Sequence, residues 1–134
     1  MFARFLKDRR GGVAPMLAIA AVPLFGMVGA AIDYSRANAA RASLQAAVDS
    51  TALIVSKSAA TQSSGDLQTA ASNAFAALYT RPEASNAAVT ASYSSTDGSK
   101  VTLTGSAVVK TMILNALGID QIAISATATS GWSM

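Results

Sequence analysis

The sequence predicts an α+β chain in which one long N-terminal helix carries a second helix and a small three-stranded β-sheet head, with a short helix before the last strand. Three observations predict it. Residues 11–32, GGVAPMLAIAAVPLFGMVGAAI, contain no charged side chain. Apolar residues then recur at helical spacing through 37–55 and again through 67–78. After Pro82 the spacing changes to two, the period of a half-buried strand.

These elements divide the chain into a cytoplasmic basic segment (residues 1–10), the transmembrane half of the long helix (11–32), its soluble half (33–62) and the α+β head (63–134). A helix over 11–32 reaches about 30 Å, the thickness of a bilayer's hydrocarbon core. The net charge of +3 resides entirely in residues 1–10, where Arg4, Lys7, Arg9 and Arg10 oppose Asp8. Basic residues beside a span set its orientation, so the N-terminus is expected in the cytoplasm and the head outside. Two other readings of 11–32 compete on the same residues. A cleaved signal peptide would end near Gly29-Ala30-Ala31, but the apolar run exceeds the usual length of its core. A buried helix would need more chain around it than this sequence provides.

Within the segment, Pro15 stands near the helix start, where its missing N–H costs little, whereas Pro23 predicts a kink or local unwinding near the middle. Gly26, Gly29 and Ala30 form a small-residue surface that lets another helix approach closely in lipid. The plainer explanation is that Gly and Ala are common in membrane helices. Residues 33–60 continue the helix without Gly or Pro. Ala37, Ala40, Leu44, Val48, Thr51 and Val55 define its one apolar face. With Gly26, Gly29 and Ala30, the small residues Ala37 and Ala40 make a seam suited to helix packing and assembly. Tyr34 falls where an interfacial aromatic belongs, and Asp33 with Arg36 marks an exit into water.

The polar cluster 61–65 stops the helix, and Ser64 or Asp66 is expected to cap a second one. Its apolar positions are Leu67, Ala71, Ala74, Phe75 and Leu78, and Arg81-Pro82 ends it. Val89, Ala91 and Tyr93 alternate with polar neighbours, as do Val101, Leu103, Gly105, Ala107 and Val109. Residues 95–99, with Asp97-Gly98 as the reversal point, join the two runs in a hairpin. A short helix over 111–117, closed by Gly118, leads to a third strand over 121–129 whose direction the pattern leaves open.

The composition argues against several functions. Histidine and cysteine are both absent, which removes the commonest general base, the thiolate nucleophile and the usual zinc ligands. No basic stripe runs through the folded part, so nucleic acid is not an expected partner. Asp33, Asp49, Asp66, Glu83, Asp97 and Asp120 are the only acids beyond Asp8, and their spacing matches no metal loop, phosphate cradle or paired-carboxylate pattern. No cofactor, metal or small-molecule substrate is expected, and an enzyme or ligand binder is the minor alternative.

Asp33-Tyr34-x-Arg36, Arg41, Leu44-Gln45, Ala47, Asp49 and Ala52-Leu53 follow Asp8-Arg9-Arg10-Gly11-Gly12 and the apolar run. This order resembles the N-terminal segment of TadE/TadG-like Flp pilus-assembly proteins. Val101-Thr102-Leu103-Thr104-Gly105, Leu117-Gly118-Ile119-Asp120 and Ile124-Ser125-Ala126-Thr127-Ala128 are similar to the end of short members of that family. The resemblance implies a non-enzymatic, membrane-anchored, pilin-like subunit of tight-adherence pilus assembly, with the membrane and other pilus subunits as partners. It also implies a single pass through the cytoplasmic membrane or incorporation in a surface pilus. The runner-up reading is the main self-assembling subunit of a filament. Two departures from the family are visible. A type IV prepilin cut at Gly12 would carry Glu where this chain has Leu17, and 134 residues leave no room for the extra domain of larger TadG-type members.

Overall fold

The computed structural model describes residues 11–133. Its first element, α1 (Val13–Ser56), is a single helix of 44 residues. It runs through Pro23 without a break, so the local unwinding expected there does not interrupt it. One missing donor leaves the turns on either side able to hold their own hydrogen bonds. The helix ends at Ser56, earlier than the expected 60. At its last residue and just beyond, the Ser56 and Thr61 hydroxyls donate to the Leu53 and Ser58 carbonyls, offering the backbone an alternative to further helix.

The first 20 residues of α1 leave their large apolar side chains exposed all round, among them Met16, Ile19, Val22, Phe25 and Val28. The buried-helix reading of 11–32 is thereby overturned. The second half is different: Ala37, Ala40, Leu44, Val48, Thr51 and Val55 are all buried, which is the face that the spacing predicted.

The second helix, α2 (Ser64–Leu78), is capped by Ser63, the residue before the expected one. The Ser63 hydroxyl accepts the Asp66 N–H at 3.2 Å and donates to the Asp66 carboxylate at 2.7 Å, a reciprocal cap that satisfies an otherwise orphaned donor. Leu67, Ala71 and Phe75 face inward, but Leu78 is exposed. The backbone turns extended at Tyr79, which swings that ring back into the core in place of Leu78. The Tyr79 ring stacks on Phe75 at 5.5 Å, and its hydroxyl donates to the Ala40 carbonyl at 3.3 Å.

Three strands follow, β1 (Ala84–Ser94), β2 (Ser99–Lys110) and β3 (Gln121–Trp132), in the spatial order β1-β2-β3. Both pairings are antiparallel, which settles the direction of the third strand. β1 begins earlier than the sequence pattern shows, because an irregularity between Ser85 and Ala88 breaks the alternation. Asn86 sits there at φ 53°, a left-handed conformation that Asn tolerates better than most residues. The hairpin turn has Gly98 at φ 90°, as a reversal at Asp-Gly requires. In place of the helix expected over 111–117 there is only a 3-10 turn, Leu114–Leu117, closed by Gly118 at φ 85°.

One face of the sheet packs on the helices, the second half of α1 lying against β2 and β3 and α2 against β1. Val101, Leu103, Ala107 and Val109 of the central strand are buried on that face, while Thr104 and Ser106 point outward. Gly105 occupies the remaining inward position because nothing larger fits: a Cβ there would lie 2.5 Å from Val48 Cγ2 and 3.3 Å from Leu44 Cδ1. Gly105→Ala is therefore expected to lose about 1–3 kcal/mol by overpacking. Gly131→Ala, whose Cβ would meet nothing closer than 3.8 Å, should stay within roughly 0.5 kcal/mol of the parent, with urea titration of both variants as the measurement.

Both edges of the sheet are covered by glutamines from the helices. The Gln68 side-chain amide donates to the Val89 carbonyl at 2.7 Å and accepts the Ala91 N–H at 2.8 Å, pairing with β1 as a further strand would. Gln45 donates to the Thr127 carbonyl of β3 at 3.1 Å. Satisfying edge groups in this way blocks unwanted strand addition.

Candidate functional site

The most specialised polar arrangement lies where the bare half of α1 meets the head. Asp33 is 1% exposed, although the sequence places it at an exit into water. Its carboxylate accepts three backbone N–H groups from the β2–β3 connection: Met112 on Oδ1 at 2.8 Å, and Ile113 and Leu114 on Oδ2 at 2.9 and 2.8 Å. This corrects the expected solvated helix start. The carboxylate reaches backbone 79 to 81 residues further along the chain, a partner that local spacing does not reveal.

Arg36 completes the junction. Its guanidinium stands 3.8 Å from Asp33 and donates to the Lys110 carbonyl at 3.3 Å. Thr111 closes the far side, its hydroxyl donating to the Ile119 carbonyl and its N–H to the Asp120 carbonyl. The Leu114 N–H, aided by those of Met112 and Ile113 and by the Arg36 charge, holds the Asp33 carboxyl below the usual carboxylate range against the opposing effect of burial. A carboxyl with a lowered folded-state value contributes stability above about pH 4, which is lost as pH falls through that lowered value. Asp33→Asn should therefore melt at a lower temperature than the parent at pH 7, and the gap should narrow below about pH 4 in thermal melts across the acid range.

The small residues of the seam meet this junction and the head. A Cβ on Gly29 would lie 2.2 Å from Ile113 Cγ2 and 2.9 Å from Ile113 Cβ, so the connection rests directly on the glycine backbone. A Cβ on Gly26 would lie an ordinary 3.6 Å from Leu117 Cδ1, and Ala30 is half-buried. Ala37, Ala40, Leu44 and Val48 are buried against the chain's own head. Pro23 lies on the exposed stretch. Among the motif residues, Tyr34 and Arg41 are exposed, while Gln45 joins Asp49 at 2.8 Å as well as β3. Arg4, Lys7, Arg9 and Arg10 lie outside the described residues.

Sequence reasoning missed Arg81, which appeared only as a helix terminator. Its guanidinium bridges Ser43 at 3.0 Å, Glu83 at 3.0 Å and the Ala39 carbonyl at 3.4 Å, tying the end of α2 to α1. A lone Arg before Pro carries no sequence signal for such a role. The acids are dispersed: Asp33 holds backbone, Asp66 accepts the Ser63 hydroxyl, Asp49 holds Gln45 and Glu83 holds Arg81. Among the described residues no three His, Cys, Asp or Glu side chains gather where they could hold a metal ion.

A helix bare over its first half and built into a small antiparallel head over its second defines a pilin-like α+β fold whose polar residues serve architecture. The family model of TadE/G-like Flp pilus-assembly proteins matches residues 11–91, and the chain belongs to that family. No curated protein and no solved structure matches the chain. Membership gives it a role in Flp pilus assembly, in a family that is generally structural and not enzymatic.

Proposed function

We propose that the chain is a non-enzymatic, membrane-anchored structural subunit of the Flp pilus-assembly system, acting as a minor pilin or assembly component alongside other pilus subunits. The observation that carries this reading is the contrast within α1. Its N-terminal half is apolar and uncovered, with a mean hydropathy of 2.0 over its most apolar 18 residues, whereas its C-terminal half is the spine of the head. An uncovered apolar helix of this length needs lipid or other helices around it. The charge in residues 1–10 favours a cytoplasmic N-terminus and an external head.

A reporter fused after Met134 is expected to be active only outside the cytoplasm. Reversing the charges at Arg4, Lys7, Arg9 and Arg10 should reduce correct insertion; unchanged orientation would show that these charges do not set the topology. Mass and fractionation of the mature protein then separate its possible fates. An intact chain in the inner membrane supports the anchor, a chain starting at Val13 in sheared fibres supports a processed pilin, and one starting at Ile32 in the periplasm supports a cleaved signal.

A further inference from the structure

Residues 111–119, TMILNALGI, connect β2 to β3 and carry no charge, although Lys110 and Asp120 flank them. They leave Met112, Leu117 and Ile119 exposed by 68%, 59% and 49% on the same end of the head as the bare helix. The connection does not hang free in solvent. Ile113 rests on Gly29 and Leu117 on Gly26, and between Ala21, Val22, Phe25, Ala116 and Leu117 lies an open groove of about 290 Å³ with almost wholly apolar walls. Gly26 precedes the end of the uncharged segment at Ile32 by six residues, so Leu117 stands about 9 Å inside that boundary along the helix axis.

Backbone in such a place must satisfy its own polar groups, because lipid cannot. Most N–H groups of this connection find partners within the protein. The N–H groups of Met112, Ile113 and Leu114 go to Asp33, and those of Ala116, Gly118 and Ile119 go to carbonyls within the connection. Asp33 thus removes three donors that would otherwise need water.

We propose that the β2–β3 connection is a second membrane contact, with Met112, Leu117 and Ile119 entering the leaflet on the head's side and acyl chains filling the groove beside Phe25. The proposal rests on the anchored reading above. Entry to this depth matches the seating of interfacial apolar groups at the headgroup and acyl boundary. Two contacts, helix and connection, hold the head in one orientation over the membrane, where a helix alone would let it turn about its axis.

The test uses the full chain with Trp132→Phe, which removes its one native tryptophan. Single tryptophans are introduced as Leu117→Trp, Met112→Trp, Phe25→Trp and Leu53→Trp, all at exposed positions. Each variant is reconstituted in phosphatidylethanolamine and phosphatidylglycerol vesicles containing brominated acyl chains. The expected result is loss of fluorescence for Leu117→Trp and Met112→Trp comparable to that for Phe25→Trp, with Leu53→Trp unaffected. Quenching of Phe25→Trp alone would overturn the proposal and leave the anchor standing. No quenching of Phe25→Trp would overturn the anchor and the proposal with it. Quenching of Leu117→Trp that appears only when the protein is diluted in lipid would place a second copy on the groove, and would also overturn the proposal.

Discussion

Leu44→Asp is expected to abolish the folded head while leaving the apolar half of α1 able to insert. Leu44 is completely buried in the centre of the helix–sheet interface, with Val48 beside it and Gly105 of β2 beneath. Removing a buried leucine costs about 2–5 kcal/mol through lost transfer energy and the cavity left behind. The introduced carboxylate adds a further penalty of several kcal/mol, because this region of α1 supplies no partner for a charge. Domains of this kind have roughly 5–15 kcal/mol in total, so the sum removes most or all of the margin. Leu53→Asp is the matched control, on the same helix but 62% exposed, and should behave as the parent. Limited proteolysis of membrane fractions reads the difference. Equal resistance of Leu44→Asp and Leu53→Asp would mean that the stem is not the spine of the head. Leu103→Asp and Thr102→Asp repeat the comparison within β2, where Leu103 is buried and Thr102 reaches the outer face to meet Thr129 at 3.2 Å.

Gly29→Leu should have the next largest effect, and it falls on the junction. Even the first carbon of a side chain would overlap Ile113, and the two overlapped atoms, Cβ and Cγ2, belong to the rigid branch of that residue and not to a flexible tip. The connection must therefore lift off the helix, and the three hydrogen bonds to Asp33 lengthen or break. Amide hydrogen exchange at Met112, Ile113 and Leu114 is the specific readout, with a large loss of protection expected in Gly29→Leu. Gly12→Ala, with nothing within 4 Å of the new Cβ, should leave the same amides as protected as in the parent. Insertion should survive, since the segment stays apolar and uncharged. Normal protection in Gly29→Leu would show that the glycine is not what admits the connection. Ala30→Leu, at a half-buried position of the small-residue seam, is expected to reduce cross-linking to other pilus proteins.

Much of the architecture was legible because it depends on periods that neighbouring residues carry by themselves. The six inward positions predicted on the stem from Ala37 to Val55 are buried without exception, and so are Val101, Leu103, Gly105, Ala107 and Val109 on β2. Repetition along one element reports which face meets the core, whatever that core turns out to be. Errors fell at ends of elements and at single polar residues. The cap moved from Ser64 to Ser63, Tyr79 replaced Leu78, and the helix expected over 111–117 shrank to Leu114–Leu117. Each of those depends on a partner elsewhere in the chain or on one backbone torsion, which periodicity averages away.

The sequence by itself determined the long helix with its uncharged first half, the inward faces of stem and strands, the hairpin and the family resemblance later matched over residues 11–91. These are local properties: charge, spacing and turn chemistry act within a few residues and need no fold to be read. Only the tertiary structure decided that β3 runs antiparallel to β2, that Gln45 and Gln68 cover the sheet edges, and that Asp33 is a buried acceptor for the β2–β3 connection. It also decided that Gly29 admits Ile113 from the same chain. The physical reason is the same in each case. A hydrogen bond or a close contact between groups some 20 to 80 residues apart exists only once the core has brought them together, and a side chain that could equally face water carries no mark of that partner beforehand.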